Sequence, residues 1–349
     1  MTTNRTTGGK PPVANAGEPA AQTVTRQPSP SGGLGRRLRP WLPEVVVTLL
    51  LILAFVAGAL LSPYFLDVSF LFDSMSLYME MAIMALGMTL VITSGNIDLS
   101  IAGNLALVAC VSGILNRQLG VPMGLTILLG LALGAAAGCL NGLLIARLRL
   151  PALAVTLASM ALFRGMAQIL LGDHSLGDFP KWFVGVDQVR IPGTPVALPL
   201  ILFLVLAAIF GLLLHRTVFG RWVYALGTNE EAAHYSGVPV ARVKILIFTL
   251  MGLLAGMGGL LMDSRLTVAR FDHATGLELD VITAVVLGGT SISGGRGTII
   301  GTLVAIFLVG FLRTGMGVAN VKAENQLAAV GTLLIVAVIA SNLLSRRRK

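Results

Sequence analysis

The chain has 349 residues, of which 25 are basic and 16 acidic, giving a formal charge of +9 and a pI near 10.2. Only 12% are charged and 55% are hydrophobic, with a mean hydropathy of +0.85; a soluble domain carries about 25% charge. This excludes a soluble nucleic-acid-binding domain, whose basic residues would be spread over a folded face with aromatics for stacking, and points to a membrane protein.

In chain order, Met1–Pro43 hold Arg5, Lys10, Arg26, Arg36, Arg37 and Arg39 against a single acid, Glu18. The stretch is rich in Pro, Gly, Ser and Thr, and reads as a disordered basic cytoplasmic tail rather than a secretory signal. Residues 44–345 form the expected transmembrane domain. A second basic tail, Arg346–Lys349, closes the chain.

Ten apolar stretches are membrane-segment candidates: Val45–Leu61, Ser74–Thr93, Leu99–Leu115, Gly124–Ala146, Ala152–Leu171, Val196–Leu214, Ile245–Met262, Val281–Ile292, Thr298–Gly315 and Gln326–Asn342. The eighth is too short to span alone and reads as a broken or re-entrant helix. Ten segments put both termini on one side. With that side in the cytoplasm, the tails join Arg147, Arg149, Arg216, Arg221, Arg242, Lys244 and Arg296 inside. Arg117, Lys181, Arg190, Arg265, Arg270 and Lys322 stay outside, in loops that are otherwise acidic, as the positive-inside rule expects.

Gly, Asn, Asp and Ser interrupt the apolar pattern at Ser94–Gly103. Asn96, Asp98, Ser100 and Asn104 cluster there, and polar groups at membrane depth are functional candidates by default. Two readings fit: Asp98 caps the third helix through the amides of Ser100 and Ile101, or the cluster lines a translocation pathway. Glu80, Arg164, Arg313 and Asn141 are the other polar residues at depth, and Glu80 with Arg164 is expected to pair or snorkel. The stretches Val91–Leu107 and Val286–Val304 share an order of apolar run, Gly/Ser-rich break and new helix. Paired broken helices point to a substrate path in transporters, with chance likeness as the alternative.

Gly130, Gly134, Gly138 and Gly142 recur every four residues, as do Gly252 with Gly256 and Gly297 with Gly301. Such stripes allow close helix packing in lipid, and a glycine-lined pore wall is the functional alternative. Cys110 and Cys139 lie in apolar runs and read as small buried hydrophobes.

The longest inside connection is 215–244. Thr228 followed by Glu231 has capping-box spacing, Gly237 supplies a left-handed stop, and Pro239 prevents continuation. A short helix over about Asn229–Ser236 is therefore expected. It is either a turn tucked against the headgroups or a rigid knob for a partner's groove. No phosphate loop, zinc-type His pair or nucleophile elbow occurs, so neither a catalytic nor a metal site is expected.

The runs GNIDLSIAGNLAL, ALGTNEEAAHYSGVPVARVK and GLELDVITAVVLGGTSISGGRGTIIGTLV together resemble the inner-membrane permeases of ABC sugar importers, the ribose-type permeases. Branched-chain amino-acid permeases are their distant relatives. Asn96 and Ala102 stand where the family usually has glycines, and Arg270–Leu303 with VANVKAENQLAAVGTLLIVAV looks closer to rhamnose and autoinducer-2 permeases.

The resemblance implies an all-α polytopic subunit of the bacterial inner membrane that is not itself an enzyme. Its implied partners are a second permease subunit, a periplasmic sugar-binding protein, membrane lipid and a cytoplasmic ATPase. No cofactor is expected on this chain, ATP and magnesium belonging to the ATPase. Asn229, Glu230, Glu231, Ala232, Ala233 and Gly237 match the segment that docks on that ATPase. The expected cargo is a monosaccharide, a rhamnose-like deoxyhexose or a pentose, with an autoinducer-2-type solute or ion-coupled carriage as alternatives.

Overall fold

The computed structural model describes residues 1–3, 8–9, 42–61 and 63–346. The chain divides into two units, Met1–Arg39 and Pro40–Lys349, and every described helix lies in the second. The basic tails expected at 1–43 and 346–349 fall almost wholly outside the described residues. Among those residues the only β pairings are the isolated bridges Leu176–Ala269 and Arg190–Ala197.

The helices are α1 (Leu42–Leu61), α2 (Val68–Ser76), α3 (Met79–Thr93), α4 (Ile101–Gly113), α5 (Met123–Arg147), α6 (Ala152–Leu171), α7 (Leu198–Arg216), α8 (Val218–Thr228), α9 (Glu230–Tyr235), α10 (Val240–Leu266), α11 (Leu277–Leu287), α12 (Ile299–Val318) and α13 (Ala323–Arg346). Each of the ten apolar stretches carries a helix, but they differ in reach. Among the described residues five are long and apolar enough to cross a membrane, namely α5, α6, α7, α10 and α12, and a sixth if α2 and α3, bent by 61° at Leu77–Tyr78, form one span. The short α11 has 11 residues, about 16 Å at 1.5 Å per residue, roughly half the hydrocarbon core.

The core is built around α3. All fifteen of its residues are buried, as expected of a helix that is apolar all round. Around it pack α10, α11, α7 and α12, while α4 lies between α5, α6 and α10. Among the described helices α5 and α10 share the most extensive contact, and their glycines explain how near the two backbones come. A methyl group on Gly134 would lie 2.6 Å from the carbonyl oxygen of Gly252. One on Gly138 would collide with the carbonyl of Phe248 and lie 2.9 Å from Gly252 Cα. Gly142 faces Ile245, Gly130 faces Val108 and Leu260, and Gly256 faces Gly134. Without a hydrophobic drive between helices in lipid, such backbone contact supplies the attraction. Gly297 and Gly301 lie elsewhere: Gly297 against Thr93 and Thr290, Gly301 against the backbone of Gly288.

Candidate functional site

The connection between α7 and α10 holds two helices where one was expected. Thr217 caps α8, its Oγ1 accepting from the amide of Gly220 at 3.2 Å. That helix runs on to Thr228, whose hydroxyl donates to the carbonyl of Tyr224 at 2.8 Å. Thr228 is thus inside a helix and does not cap the next, so the Thr228–Glu231 capping box does not form. Asn229 is the cap: its Oδ1 accepts from the Ala232 amide at 2.9 Å. Gly237, at φ +83°, ends α9 where an L side chain would be strained. Of the six matched residues, Ala233 alone is buried; Asn229, Glu230, Glu231, Ala232 and Gly237 are exposed, as is Tyr235. Glu230 is tied down by Lys244, whose ammonium donates to both carboxylate oxygens at 2.7 Å. That ion pair fastens α9 to the first turns of α10.

The two helix breaks noted in the sequence meet at the root of this connection. Gly95 follows α3, Gly294 and Gly295 lie between α11 and α12, and Gly227 is near the end of α8. The amide of Gly295 donates to the carbonyl of Thr93 at 2.9 Å. A methyl group on Gly294 would lie 2.7 Å from Gly227 O and 2.8 Å from Gly95 Cα. Four glycines therefore let three chain segments touch backbone to backbone. A side-chain relay adds a second tie. Ile299 N–H donates to His215 Nε2 at 3.4 Å, which leaves the proton on Nδ1, facing the Tyr224 hydroxyl at 3.3 Å. The hydroxyl of Tyr224 donates to the carbonyl of Gly297 at 2.7 Å. Burial pushes the phenol up to about 12, so it keeps its proton.

Asp98, Ser100 and Asn104 are buried, and Asn96 is half-buried. Asp98 Oδ1 accepts from the amide of Ser100 at 2.9 Å and from its hydroxyl at 2.6 Å; Ile101 is not a partner. Ser100 Oγ also accepts from Asn141 Nδ2 at 2.8 Å. Asn104 Nδ2 donates to the carbonyls of Gly134 and Gly252 at 3.1 and 3.3 Å. These residues form one polar seam binding α4 to α5 and α10. Asn96 sits apart, its amide on Ser94.

At the other end of α10 lies a polar cavity of about 470 Å³, lined by Met262, Leu266, Arg270, Asp272, His273, Ala274, Thr275, Leu277, Asp280 and Arg313. The 27 residues of α10 place it about 40 Å from α9 along the helix. Arg313 donates to both Asp280 oxygens at 2.7 Å, and Arg270 grips Asp272 with two bonds of 2.8 Å. That grip holds the Asp272 carboxyl below its ordinary 3.8. Burial lowers His273 to about 4, so it is neutral near pH 7. The expected Glu80–Arg164 pair does not form. Glu80 accepts from Arg265 at 2.8 Å, while Arg164 holds the 267–276 loop through the carbonyls of Phe271 and His273 at 2.8 and 2.7 Å. Among the described residues no three His, Cys, Asp or Glu side chains gather as a metal site.

Sequence reasoning missed this cavity and the α8 helix. The signal for the first was the run Asp263-Ser264-Arg265, three polar residues ending a long apolar helix. For the second it was Thr217 before an amphipathic turn, since Thr is a frequent cap.

Residues 70–338 match the family described as branched-chain amino acid transport system / permease component. The autoinducer 2 import system permease protein LsrD of Escherichia coli strain K12 is 38% identical over 312 residues, 88% of this chain and 94% of its own. The protein of that name from Shigella flexneri matches to the same extent. No solved structure matches the chain. A match across three quarters of the sequence, together with relatives aligned nearly end to end, means that this chain belongs to the branched-chain amino acid transport system permease family, among the permeases of ABC importers of sugar-like solutes.

Proposed function

We propose that this chain translocates a small sugar-like solute across the inner membrane while a separate ATPase, docked on α9, supplies the energy. Autoinducer 2, the solute named for the 38%-identical relatives, is favoured over rhamnose or a pentose. The ten helical stretches then act as ten membrane-embedded segments with both termini in the cytoplasm, α4 and α11 being the half-length pieces.

The observation that carries this reading is the join at Gly227. A capped, exposed helix begins three residues beyond Gly227, whose backbone contact includes both helix breaks. Closure of the nucleotide-binding partner would push α9. Lys244 would pass the movement to α10, and Gly227 with Tyr224 would pass it to the breaks before α4 and α12. The partner must contact the two states of the bundle differently, because only such a difference supplies free energy for the switch. Asn96, Asp98, Ser100 and Asn104 would flank the moving break, their buried bonds holding its geometry while the path opens.

Reconstitution with the ATPase and the binding protein tests it. Uptake should require ATP and survive collapse of the ion gradient. Gradient-driven uptake by this subunit alone would overturn the proposal in favour of an ion-coupled carrier.

A further inference from the structure

A second cavity, of about 230 Å³, lies between α5, α7 and the last turns of α10. Ile127 and Leu131 of α5, Leu202 of α7, and Met257 and Leu261 of α10 form its walls, and all five are half-buried. At 1.5 Å per residue they lie roughly 6–14 Å in from the ends of their helices, within one half of a hydrocarbon core about 30 Å thick. The packing explains the gap. α7 packs on α3, α8 and α12, whereas α5 packs on α4, α6 and α10, so a seam is left between α7 and the α5–α10 pair. Beside it Leu128 of α5 and Leu204 and Val205 of α7 are exposed. The lining's one hydroxyl, on Ser264, is already engaged: it donates to the carbonyl of Phe183 and accepts from the amide of Val186 at 3.3 Å. The amide of Gly185 donates to the Ser264 carbonyl at 3.2 Å, so the turn that carries Trp182 and Phe183 is fastened to the end of α10. A cavity without polar partners stays dry, and an apolar occupant restores the dispersion contacts its walls lack. The rim is of another kind. Trp182 lines the cavity and is 61% exposed, an amphipathic ring of the type found at membrane interfaces. Lys181 beside it is exposed. Among the described residues it enters no ion pair, whereas the loop cations Arg117 and Arg190 are taken by Asp178 and Asp73.

We propose that this cavity holds one acyl chain of an anionic phospholipid whose phosphate sits on Lys181, with Trp182 at the boundary between chain and headgroup. The proposal rests on the topology of the permease reading, which puts this end of α10 in the outer leaflet, and adds a lipid site to it. At about 230 Å³ the cavity is too small to admit a helix of a second subunit, about 10 Å across, while a flexible hydrocarbon chain enters from the lipid between α5 and α7. One cation at the membrane surface favours an anionic lipid roughly five-fold.

Trp182 is its own reporter once Trp41→Phe and Trp222→Phe leave it the chain's only tryptophan. The full chain is reconstituted in phosphatidylcholine vesicles doped with phosphatidylglycerol or phosphatidylcholine brominated on the acyl chains, since bromine quenches an indole at close contact. Quenching by brominated phosphatidylglycerol should saturate, at roughly one fifth of the mole fraction that brominated phosphatidylcholine needs. Lys181→Gln should make the two lipids equal. Leu202→Phe with Met257→Phe fills the cavity and should leave only quenching that rises in proportion to mole fraction. Proportional quenching by both lipids in the unfilled chain would overturn the site and leave lipid as a solvent there. Saturation at equal fractions of the two lipids would overturn the anionic headgroup. Disulfide formation between two copies carrying Leu204→Cys, in a Cys139→Ala background, would overturn the lipid and give this face to a second copy of the chain. ATP-dependent uptake by the transporter assembled with its ATPase and binding protein is measured separately. Its absence would count against the permease reading, whereas saturable quenching of Trp182 would still establish the lipid site.

Discussion

Gly138 leaves no room for a methyl group: Phe248 O and Gly252 occupy the place a Cβ would take. Gly211, on α7, has nothing within 4 Å. The same substitution should therefore have opposite signs at the two sites. Gly138→Ala forces α5 from α10 and should cost about 1–3 kcal/mol, as overpacking does. Gly211→Ala should gain about 0.5–1 kcal/mol from the lower backbone entropy of alanine in a helix. Thermal unfolding in detergent would separate them, and equal midpoints would contradict the close approach. His273 makes a pH-dependent prediction at the same scale. Its pKa drops from 6.5 to about 4 on folding, so folding favours the neutral ring. That contribution is complete above pH 6.5 and is lost as pH falls toward 4. Asp272, lowered from 3.8, loses its share only below that value. The apparent Tm of the wild type should thus fall more between pH 7 and pH 5 than that of His273→Gln.

At the scale of elements, α9 has only six residues, too few to persist without tertiary support. Three ties replace length: the Asn229 cap, buried Ala233, and the Lys244–Glu230 pair. Asn229→Ala should cost the helix about 1 kcal/mol and lower the partner's solute-stimulated ATPase rate without lowering the yield of folded permease. Tyr224→Phe removes one hydroxyl bond to Gly297, worth about 1 kcal/mol. If the join transmits the stroke, this variant should bind the ATPase normally yet take up less solute per ATP hydrolysed. An unchanged ratio would remove Tyr224 from the transmission. Asp98 and Asn104 belong to the same scale. Their bonds link elements, since the Asn104 amide reaches α5 and α10 together, and a polar bond in a bundle contributes about 0.6 kcal/mol on average.

For the whole molecule, orientation is the property to measure. The α8–α9 loop and the segment before α7 lie at opposite ends of α7. A membrane-impermeant thiol reagent on intact cells should label Thr194→Cys and spare His234→Cys, and inverted vesicles should show the reverse. Labelling of both from one side would refute the topology.

The helical class, the ten apolar stretches and the glycine stripes were legible because each depends on residues close in sequence: a run of about 20 apolar residues, or glycines four apart on one face. The stop at Gly237 was legible for the same reason, since a left-handed position demands glycine locally. The cap was misread by one residue, because whether Thr228 or Asn229 begins α9 depends on where α8 ends, and that depends on its packing. The partner of Glu80 is 185 residues away, and no local pattern selects Arg265 over Arg164. The polar cavity draws on α10, the loop after it, α11 and α12, so its lining exists only after those helices pack. Local sequence determined which segments are helices, where they stop, and which faces can meet closely. Tertiary structure alone decided which charges pair, which polar atoms are left without a partner, and that two helix breaks far apart in the chain meet at Gly227, because each of these depends on distances between segments that the chain brings together only on folding.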